Sequence, residues 1–345
     1  MKRIFIYYPF LFLLFLFCAD KIFTLEYFRD SFYQDGNPVY YSQRRSLFQR
    51  MLKDPKIQER NLAIAFGDSR AYPYSEKALE EKMKKDWVLY NFAGPQAVPA
   101  YGLYWLRKSI QAGVKPKVVF YVVSPEAFDD TKGLMYEPFL RLGADEEFIR
   151  AYWNNFTLAD KLDLLKERIF AYRKVKPSFK LFWSRLTSGD LDEYDPVFND
   201  ERIILDMTNG EQMAYATATN NPKKLSKDAI RLKSIYLSGF EVSDTQFFFV
   251  EEFLKLSKEN GIVAYIVWPR VYDGYRKGYY ELGLDKIWWP RIRELANKYD
   301  ARSVDMNVAN SCDKYYDASH QDIFCIVDQI RLLMNDYYGK SKLPR

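Results

Sequence analysis

The chain has 345 residues, 48% of them hydrophobic and 18% aromatic, which is enough for one large or two moderate domains with buried cores. Its 51 basic and 46 acidic residues give a net charge of +5, and no basic block is long enough to follow a phosphate backbone, so nucleic acid is not an expected partner. A single histidine and the absence of a Cys-x-x-Cys pair argue against a zinc site, and neither a metal nor a cofactor is predicted.

The N-terminal segment is the most apolar part of the chain. An uncharged run from Ile4 to Ala19 follows Lys2 and Arg3. A helix over this run would rise about 24 Å, slightly less than a bilayer core, and the basic residues before it favour export of the remaining chain. We therefore predict that residues 1–25 form an uncleaved transmembrane anchor or a cleaved signal helix. Lipid attachment at Cys18 and a buried helix are the alternatives.

The anchor, the signal helix and the lipid attachment all predict a cell-envelope location. With the anchor retained, the chain is predicted to be held at the membrane on its periplasmic, extracytoplasmic face. Residues 26–60, which are polar and aromatic, are interpreted as a stalk between the membrane and a folded domain.

From residue 61 onward, strand-like and helix-like segments alternate. Continuous apolar strands that alternate with helices predict a mainly parallel sheet covered on both faces, here over residues 61–345. The predicted strands are 61–66, 87–92, 117–123, 262–268 and 301–306, and the predicted helices are 75–85, 99–113, 243–261, 284–300 and 321–338.

Residues 129–242 interrupt this alternation. Residues 146–175 have a helical and unusually aromatic pattern, whereas residues 188–212 are polar and rich in turn formers. We interpret the whole segment as a helical insertion within one α/β domain.

Two cysteines, Cys312 and Cys325, lie outside the N-terminal run. In an oxidising compartment they would close a short loop that stabilises the fold by about 3 kcal/mol. Two buried, unpaired thiols are equally consistent with the sequence.

Two short motifs carry the candidate chemistry. Gly67-Asp68-Ser69 follows the first strand, and Asp317 stands three residues before His320, the only histidine. Turns commonly contain Gly, Asp and Ser for conformational reasons alone. In a D-x-x-H loop, however, the carboxylate can orient the imidazole and leave Nε2 facing a nucleophile. Since ligands bind beyond the carboxyl ends of parallel strands, we predict that Ser69, His320 and Asp317 meet there as a catalytic triad.

The first motif is not the nucleophile elbow of the α/β-hydrolases. That elbow requires G-x-S-x-G, and no second glycine follows Ser69 in Phe66-Gly67-Asp68-Ser69-Arg70-Ala71.

The motifs resemble those of the SGNH/GDSL hydrolase superfamily, in which a GDS block follows the first strand and a D-x-x-H block stands near the end. The resemblance implies a three-layer α/β/α fold of SGNH or flavodoxin-like type. It also implies that Ser69 is the nucleophile, that Asp317 and His320 complete the triad, and that the N–H groups of Ser69 and Gly94 bind the oxyanion. The asparagine of the third family block, G-x-N-D, is absent, since the chain has Ser-Pro-Glu-Ala-Phe at residues 124–128.

This five-residue segment is similar to the Ser-Pro-Gln-Trp-Phe segment of DltD-type proteins, membrane-anchored SGNH members that work with membrane-bound O-acyltransferases. The organisation also resembles a spirochaetal family of membrane-anchored envelope proteins. These resemblances imply a cell-envelope esterase or O-acyltransferase that acts on an acylated glycan or lipid. The alternative is a catalytically inactive SGNH-like protein that docks a membrane acyltransferase or another envelope partner, which the missing asparagine favours.

Further residues are candidates for substrate contacts. Ser124, Glu126 and Arg270 follow predicted strands and are possible substrate-binding residues, although solvated loop positions are the commoner role for such side chains. Five aromatic residues are candidates for an acyl or sugar pocket, although aromatic residues more often lie in the core: Tyr72, Tyr74, Trp105, Trp153 and Trp268.

Overall fold

A computed structural model describes residues 7–25, 37–130, 138–189, 208–212, 218–219, 221–340 and 343, without the side chains of 37–40. The contacts divide the chain into two compact units. The α/β unit comprises residues 44–136 and 204–345, and the helical unit comprises residues 1–43 and 137–203. The first part of the predicted stalk, residues 26–36, and most of the predicted turn-rich segment, residues 190–207, lie outside the described residues.

The α/β unit contains a five-stranded, wholly parallel sheet. Its central strand pairs on both sides, since Ala63 lies opposite Leu89 on one neighbour and Val118 on the other. The predicted α/β class with a parallel sheet is therefore confirmed. The strands are β1 (Asn61–Gly67), β2 (Trp87–Asn91), β3 (Val118–Val122), β4 (Val263–Trp268) and β5 (Arg302–Asp305), in the spatial order β2-β1-β3-β4-β5.

Helices account for most of the remaining described residues. In chain order they are α1 (Tyr8–Asp20), α2 (Asn37–Lys53), α3 (Lys56–Glu59), α4 (Glu81–Lys84), α5 (Pro99–Gln111), α6 (Glu146–Ala151), α7 (Leu158–Ile169), α8 (Ala171–Val175), α9 (Phe179–Ser188), α10 (Pro222–Leu232), α11 (Asp244–Glu259), α12 (Asp273–Glu281), α13 (Leu284–Lys298), α14 (Met306–Ala309) and α15 (Ile323–Tyr337). Single 3₁₀ turns span Lys21–Thr24, Ser69–Ala71, Glu76–Ala78, Pro125–Phe128 and Trp153–Asn155, and π turns span Phe139–Gly143 and Lys233–Leu237.

Helices cover both faces of the sheet. Side chains alternate between the faces of a strand. On one face, Phe120 and Tyr265 share a buried cluster with Ile330 of α15. On the other face, the rings of Phe66 and Tyr121 lie 5.5 and 4.3 Å from the ring of Phe253 in α11. The unit therefore has three layers, helix, sheet and helix.

The site is positioned by the strand order. The sheet continues from β1 to β2 on one side and from β3 to β5 on the other, so the direction of winding changes between β1 and β3, the usual ligand-binding crevice of such sheets. Gly67 ends β1 with φ +134°, and a Cβ atom there would lie 2.2 Å from the carbonyl oxygen of Val122. Only glycine permits this approach, so the turn that carries Ser69 begins directly at the crevice.

Part of the predicted stalk is instead packed on the α/β unit. Residues 44–53 belong to helix α2, in which Leu47 and Met51 are buried four residues apart. The Arg44 guanidinium, fully buried, donates to the carbonyl oxygens of Asn91 and Gly210 at 2.5 and 3.1 Å. The i, i+4 spacing of apolar residues is the helical signal that the polar composition of the segment obscured.

The two ends of the predicted insertion lie side by side. Asp129 and Val242 form an antiparallel bridge. Next to it, the N–H of Ser243 donates to the carbonyl oxygen of Phe128 at 2.8 Å. The predicted insertion therefore begins and ends at one place within the α/β unit, and only its residues 137–203 belong to the helical unit.

The helical unit differs from the prediction in two respects. The segment 146–175 forms three helices, α6 to α8, and not one; Thr157 caps the start of the second through its side chain, whereas the third begins at Ala171 without a side-chain cap. Within the described residues, no helix is both long and apolar enough to cross a membrane, and α1 has 13 residues. The structure thus lends no support to the predicted transmembrane or signal helix over residues 1–25, of which 1–6 are outside the described part.

Candidate active site

The first component of the site is the turn after β1. Asp68 precedes the 3₁₀ turn Ser69–Ala71, and its Oδ1 accepts a hydrogen bond from the N–H of Arg70 at 2.9 Å. This cap fixes the residue before Ser69 in an extended conformation and places Ser69 at the first position of the turn.

Ser69, His320 and Asp317 form a connected triad. The Ser69 Oγ lies 2.7 Å from Nε2 of His320, although 251 residues separate them in the sequence. The His320 Nδ1 lies 2.9 Å from each carboxylate oxygen of Asp317. The structure therefore brings together the three side chains that the sequence predicted as catalytic.

Asp317 is held as a carboxylate. Its Oδ1 accepts hydrogen bonds from the backbone N–H groups of Ser319 and His320, each at 2.8 Å. Burial by itself raises the pKa of Asp317, but the hydrogen bond and charge of His320 and the two N–H groups outweigh it and lower the pKa to about 2. An ionised Asp317 favours the tautomer in which Nδ1–H donates to the carboxylate and Nε2 accepts the Ser69 proton.

The loop that carries Asp317 and His320 is fixed at several points. A disulfide joins Cys312 and Cys325, which answers the question that the sequence left open. At the centre of the loop, the N–H of Ala318 donates to the Asp228 carboxylate at 3.0 Å. The disulfide ties the two ends of the loop and the hydrogen bond ties its centre, so the segment that carries His320 is held on both sides.

A buried arginine connects the serine turn to the histidine loop. Arg70, the residue after Ser69, donates through Nε to the carbonyl oxygen of Ser319 at 3.0 Å. Its other nitrogens donate to Asp68 at 2.7 Å and Glu126 at 2.8 Å. Burial alone lowers the pKa of Arg70, but the charges of Asp68 and Glu126 raise it well above the ordinary value. The Arg70 guanidinium thus links the turn that carries Ser69 to the loop that carries Asp317 and His320.

Glu126 is the counter-charge of this arginine. Its Oε1 also accepts hydrogen bonds from the hydroxyls of Tyr275 and Tyr279 at 2.6 and 2.7 Å. Burial raises the pKa of Glu126, but the charge of Arg70 and the tyrosine hydrogen bonds lower it below the ordinary value. As a carboxylate, Glu126 accepts hydrogen bonds and does not replace the amide donor of the absent asparagine.

The other predicted site residues have different surroundings. Ser124 lines the cavity at Ser69 and donates to Oδ2 of Asp68 at 2.5 Å. Arg270 instead donates to the Tyr315 hydroxyl at 2.9 Å and the Asn310 carbonyl oxygen at 2.5 Å, and it is not among the described residues lining that cavity.

Gly94, the predicted second oxyanion donor, has its N–H engaged. This N–H donates to the carbonyl oxygen of Gly67 at 2.9 Å, and Gly94 is not among the described residues that line the cavity. The β2–α5 turn approaches Ser69 through Gln96 and Ala97 instead.

The aromatic pocket candidates are mostly core residues. Tyr74, Trp105 and Trp268 have at most 2% of their surface exposed, and Tyr72 is also buried. Trp153 is partly exposed and belongs to the helical unit.

The cavity at Ser69 has a volume of about 60 Å³. Gln96 and Tyr236 are among the lining residues that the sequence did not indicate, and a hydrogen bond joins Gln96 Nε2 to the Tyr236 hydroxyl at 2.9 Å. Gln96 has a φ of +50°, which is uncommon for a residue with a Cβ and recurs at functional sites. The lining residues are Asp68, Ser69, Arg70, Gln96, Ala97, Ser124, Glu126, Ala127, Tyr236, Ser319 and His320.

A metal centre is not built from the acidic, cysteine and histidine side chains that the structure describes, since no three of them are grouped to hold an ion.

Comparison with known proteins identifies a family. The family model described as "Protein of unknown function (DUF1574)" matches residues 1–337, almost the whole chain, and the chain therefore belongs to that family. A search of curated proteins finds no match.

Proposed function

We propose that this DUF1574 family member is an SGNH-type serine hydrolase or O-acyltransferase that forms an acyl-enzyme intermediate on Ser69. The observation that carries the proposal is the 2.7 Å contact between Ser69 Oγ and His320 Nε2, backed by Asp317 at 2.9 Å. A serine needs an adjacent base to act as a nucleophile, and the base needs a group that orients it.

In the first half of the reaction, Ser69 Oγ attacks the carbonyl carbon of an ester and its proton passes to His320 Nε2. The tetrahedral intermediate then collapses. The bond to the leaving oxygen breaks, and the imidazolium returns the proton to that oxygen, which departs as an alcohol. Asp317, ionised at neutral pH, stabilises the imidazolium while it exists.

The second half regenerates the serine. An incoming hydroxyl loses its proton to His320 and attacks the acyl carbon, after which Ser69 leaves with that proton. If the hydroxyl belongs to water, the protein is an esterase. If it belongs to a sugar or a lipid, the protein is an O-acyltransferase.

The oxyanion needs hydrogen-bond donors beside Ser69. The N–H of Ser69 is the first, as the SGNH resemblance implies. Because the N–H of Gly94 is engaged by Gly67, we assign the second donor to the side-chain amide of Gln96, which lines the cavity at Ser69. One N–H of this amide donates to Tyr236, and the amide has a second N–H for the oxyanion. Loss of one such donor typically lowers the rate by 10²–10³, so this assignment bears directly on whether the site is active.

The substrate class follows from the resemblance to DltD-type proteins and from the cavity. We propose an acylated glycan or lipid of the cell envelope as the acyl donor or acceptor, and a membrane-bound O-acyltransferase as a partner. A cavity of about 60 Å³ holds a handful of water-sized groups at roughly 10–15 Å³ each, which suits a short acyl chain.

A fluorophosphonate probe tests the proposal, because it reacts with serines that a neighbouring base activates. We expect labelling of the wild-type chain and of a Ser184→Ala control, which removes an exposed serine in α9, and no labelling of Ser69→Ala. If the folded wild-type chain is not labelled, the site is inactive and the docking alternative is favoured.

Hydrolysis of p-nitrophenyl acetate then separates the two reactions. Release of p-nitrophenol at a steady rate in buffer supports an esterase. A single stoichiometric burst, after which release resumes only when a sugar is added as the hydroxyl acceptor, supports an acyltransferase.

A further inference from the structure

Helix α7 of the helical unit exposes an apolar stripe. Leu158, Leu162, Leu165 and Ile169 are exposed over 73%, 47%, 52% and 43% of their surfaces. Their spacing of four, three and four residues places them on one face of the helix. Isolated exposed leucines are common on protein surfaces, but four in line on one helix indicate a surface that contacts an apolar medium.

Basic residues of α7 lie at the edges of this stripe, and its acidic residues lie away from it. At 100° per residue, Lys161 and Arg168 border one edge of the stripe and Lys166 borders the other. The acidic residues of the helix, Asp160, Asp163 and Glu167, lie on the opposite face. Long basic side chains at the edge of an apolar face can extend their charged ends toward lipid headgroups while their methylenes stay in the apolar layer.

Helix α9 repeats the pattern with aromatic residues. Phe179, Trp183 and Leu186, spaced by four and three residues, are exposed over 60%, 65% and 43% of their surfaces. Tryptophan is typical of the boundary between lipid and water, because its ring is largely apolar and its N–H is polar.

The apolar helix α1 is joined to the same unit beside these two stripes. At its end, the Asp20 carboxylate accepts hydrogen bonds from the N–H groups of Ala171 and Tyr172 at 2.7 and 2.8 Å. Three residues further on, the ring of Phe23 lies 6.3 Å from the rings of Tyr172 and Phe179. The apolar side chains of α1 from Tyr8 to Phe17 are themselves between 43% and 68% exposed.

The charge of residues 158–188 indicates what kind of partner the exposed faces of α7 and α9 bind. Residues 158–188 contain eight basic and three acidic side chains, whereas the whole chain is nearly balanced. Amphipathic helices with basic flanks and exposed leucine and tryptophan bind in the plane of a membrane interface, most strongly where the lipids are anionic.

We propose that the exposed apolar faces of α7 and α9 lie in the interface of a bilayer that contains anionic lipids. The bound helices lie parallel to the membrane surface, with the stripes in the acyl boundary and the basic residues at the headgroups. The proposal is independent of the chemistry at Ser69 and assigns a lipid contact to the insertion, beyond the one predicted for residues 1–25.

The test reports on the helices themselves, because lipid binding through α1 alone would also retain the chain on vesicles. In a full-length Cys18→Ser background, single cysteines are introduced by Leu165→Cys, Trp183→Cys or Ser184→Cys and labelled with an environment-sensitive fluorophore. The control Ser184 is adjacent to Trp183 but points away from the stripe, about 100° further round the helix. Vesicles of equal parts phosphatidylglycerol and phosphatidylcholine are then added.

We expect a blue shift, a several-fold rise in emission and quenching by spin-labelled lipid at positions 165 and 183, with little change at 184. Vesicles of phosphatidylcholine alone should bind about tenfold or more weakly, because each basic residue contributes to attraction by anionic lipid. The Ser69→Ala variant should give the same shifts.

Equal signals at all three positions, or vesicle binding without a change at 165 and 183, would overturn the proposal. The second result would mean that another part of the chain, such as α1, holds it on the vesicle and that the stripes do not enter the bilayer. Unchanged binding to phosphatidylcholine vesicles would overturn the role of the basic residues.

Discussion

The α/β unit and the helical unit place polar and apolar groups in opposite ways. In the α/β unit, the side chains of Arg70 and Glu126 are only 9% and 7% exposed and belong to a continuous hydrogen-bond network. In the helical unit, Leu158 and Trp183 have most of their surface exposed. Buried charges require partners, whereas rows of exposed apolar residues require a medium to bury them. The first unit therefore gathers polar and charged groups around a cavity, and the second exposes apolar side chains on its surface.

The two arrangements also differ in how far apart the cooperating residues stand in the sequence. The cavity joins Ser69 to His320 across 251 residues, so a substitution there disturbs several elements. The stripe of α7 is contained in twelve residues, and its members are nearly independent of one another. This contrast predicts large effects in the first unit and small ones in the second.

The largest expected effect follows from Asp317→Asn. With an amide in this place, the imidazole loses the acceptor that fixes its tautomer, and we expect the rate of ester cleavage to fall by about 10³–10⁴. The measurement is the initial rate of p-nitrophenyl acetate hydrolysis or burst formation. A loss of less than tenfold would mean that the Ser319 hydroxyl, 3.0 Å from Nδ1, orients the histidine instead.

The same variant tests the stability of the site against pH. Since the pKa of Asp317 is about 2 in the folded state and 3.8 ordinarily, its carboxylate stabilises the fold above pH 4, and this contribution is lost as the pH falls towards 2. We expect Asp317→Asn to be less stable than wild type by about 2 kcal/mol at pH 5, with the difference closing near pH 2. Urea unfolding at a series of pH values measures it. A stability difference between wild type and Asp317→Asn that stays constant with pH would contradict the lowered pKa of Asp317.

A smaller effect is expected from Glu126→Gln, which leaves the buried Arg70 with one fewer counter-charge. Breaking a buried ion pair typically costs about 3–5 kcal/mol, and the remaining contact with Asp68 places this variant near the lower end. Because Arg70 positions the histidine loop through Ser319, the turnover number should fall by about 10–10² while KM changes little.

Two variants distinguish positioning from general destabilisation at Glu126. Tyr275→Phe removes one hydrogen bond from the same carboxylate and keeps the charge, so about 1–2 kcal/mol of stability should be lost with a smaller change in turnover. Glu126→Asp should restore part of the turnover lost in Glu126→Gln. Equal turnover in Glu126→Gln and wild type would rule out the positioning role.

The smallest expected effect is the change in stability caused by Trp183→Ala, and it tests how the two units differ. Trp183→Ala should change the free energy of unfolding by no more than about 0.5 kcal/mol, because the ring is 65% exposed. Trp268→Ala, which removes a ring only 2% exposed, should cost about 3–5 kcal/mol. Denaturant titrations of both variants provide the measurement. A large loss for Trp183→Ala would indicate that the stripe of α9 is a packing surface within the unit.

Local patterns in the sequence were sufficient for the sheet and the triad. Four of the five strands are short, mainly apolar runs, whereas β5 has only one apolar residue, Val304; each was predicted within two residues of its observed bounds. Ser69 was identified by its place after the first strand, and Asp317 and His320 by their three-residue spacing. Such signals are local, because apolar periodicity and loop spacing depend only on residues that are close together in the sequence.

The sequence missed the features that depend on contacts between distant segments. Nothing near Gln96 indicates that it shares a cavity with His320, and nothing near Gly94 shows that its N–H is taken by Gly67. Residues 44–53 were interpreted as a stalk because their burial depends on the α/β unit they pack against.

By itself, then, the sequence determined the α/β class and the triad residues, since these follow from apolar runs and from chemical groups at fixed local spacing. Only the tertiary structure decided which residues line the cavity at Ser69, that Arg70 and Glu126 join the two halves of the site, and that Cys312 is paired with Cys325. These are outcomes of packing, where the partner of a buried group is set by the path of the whole chain.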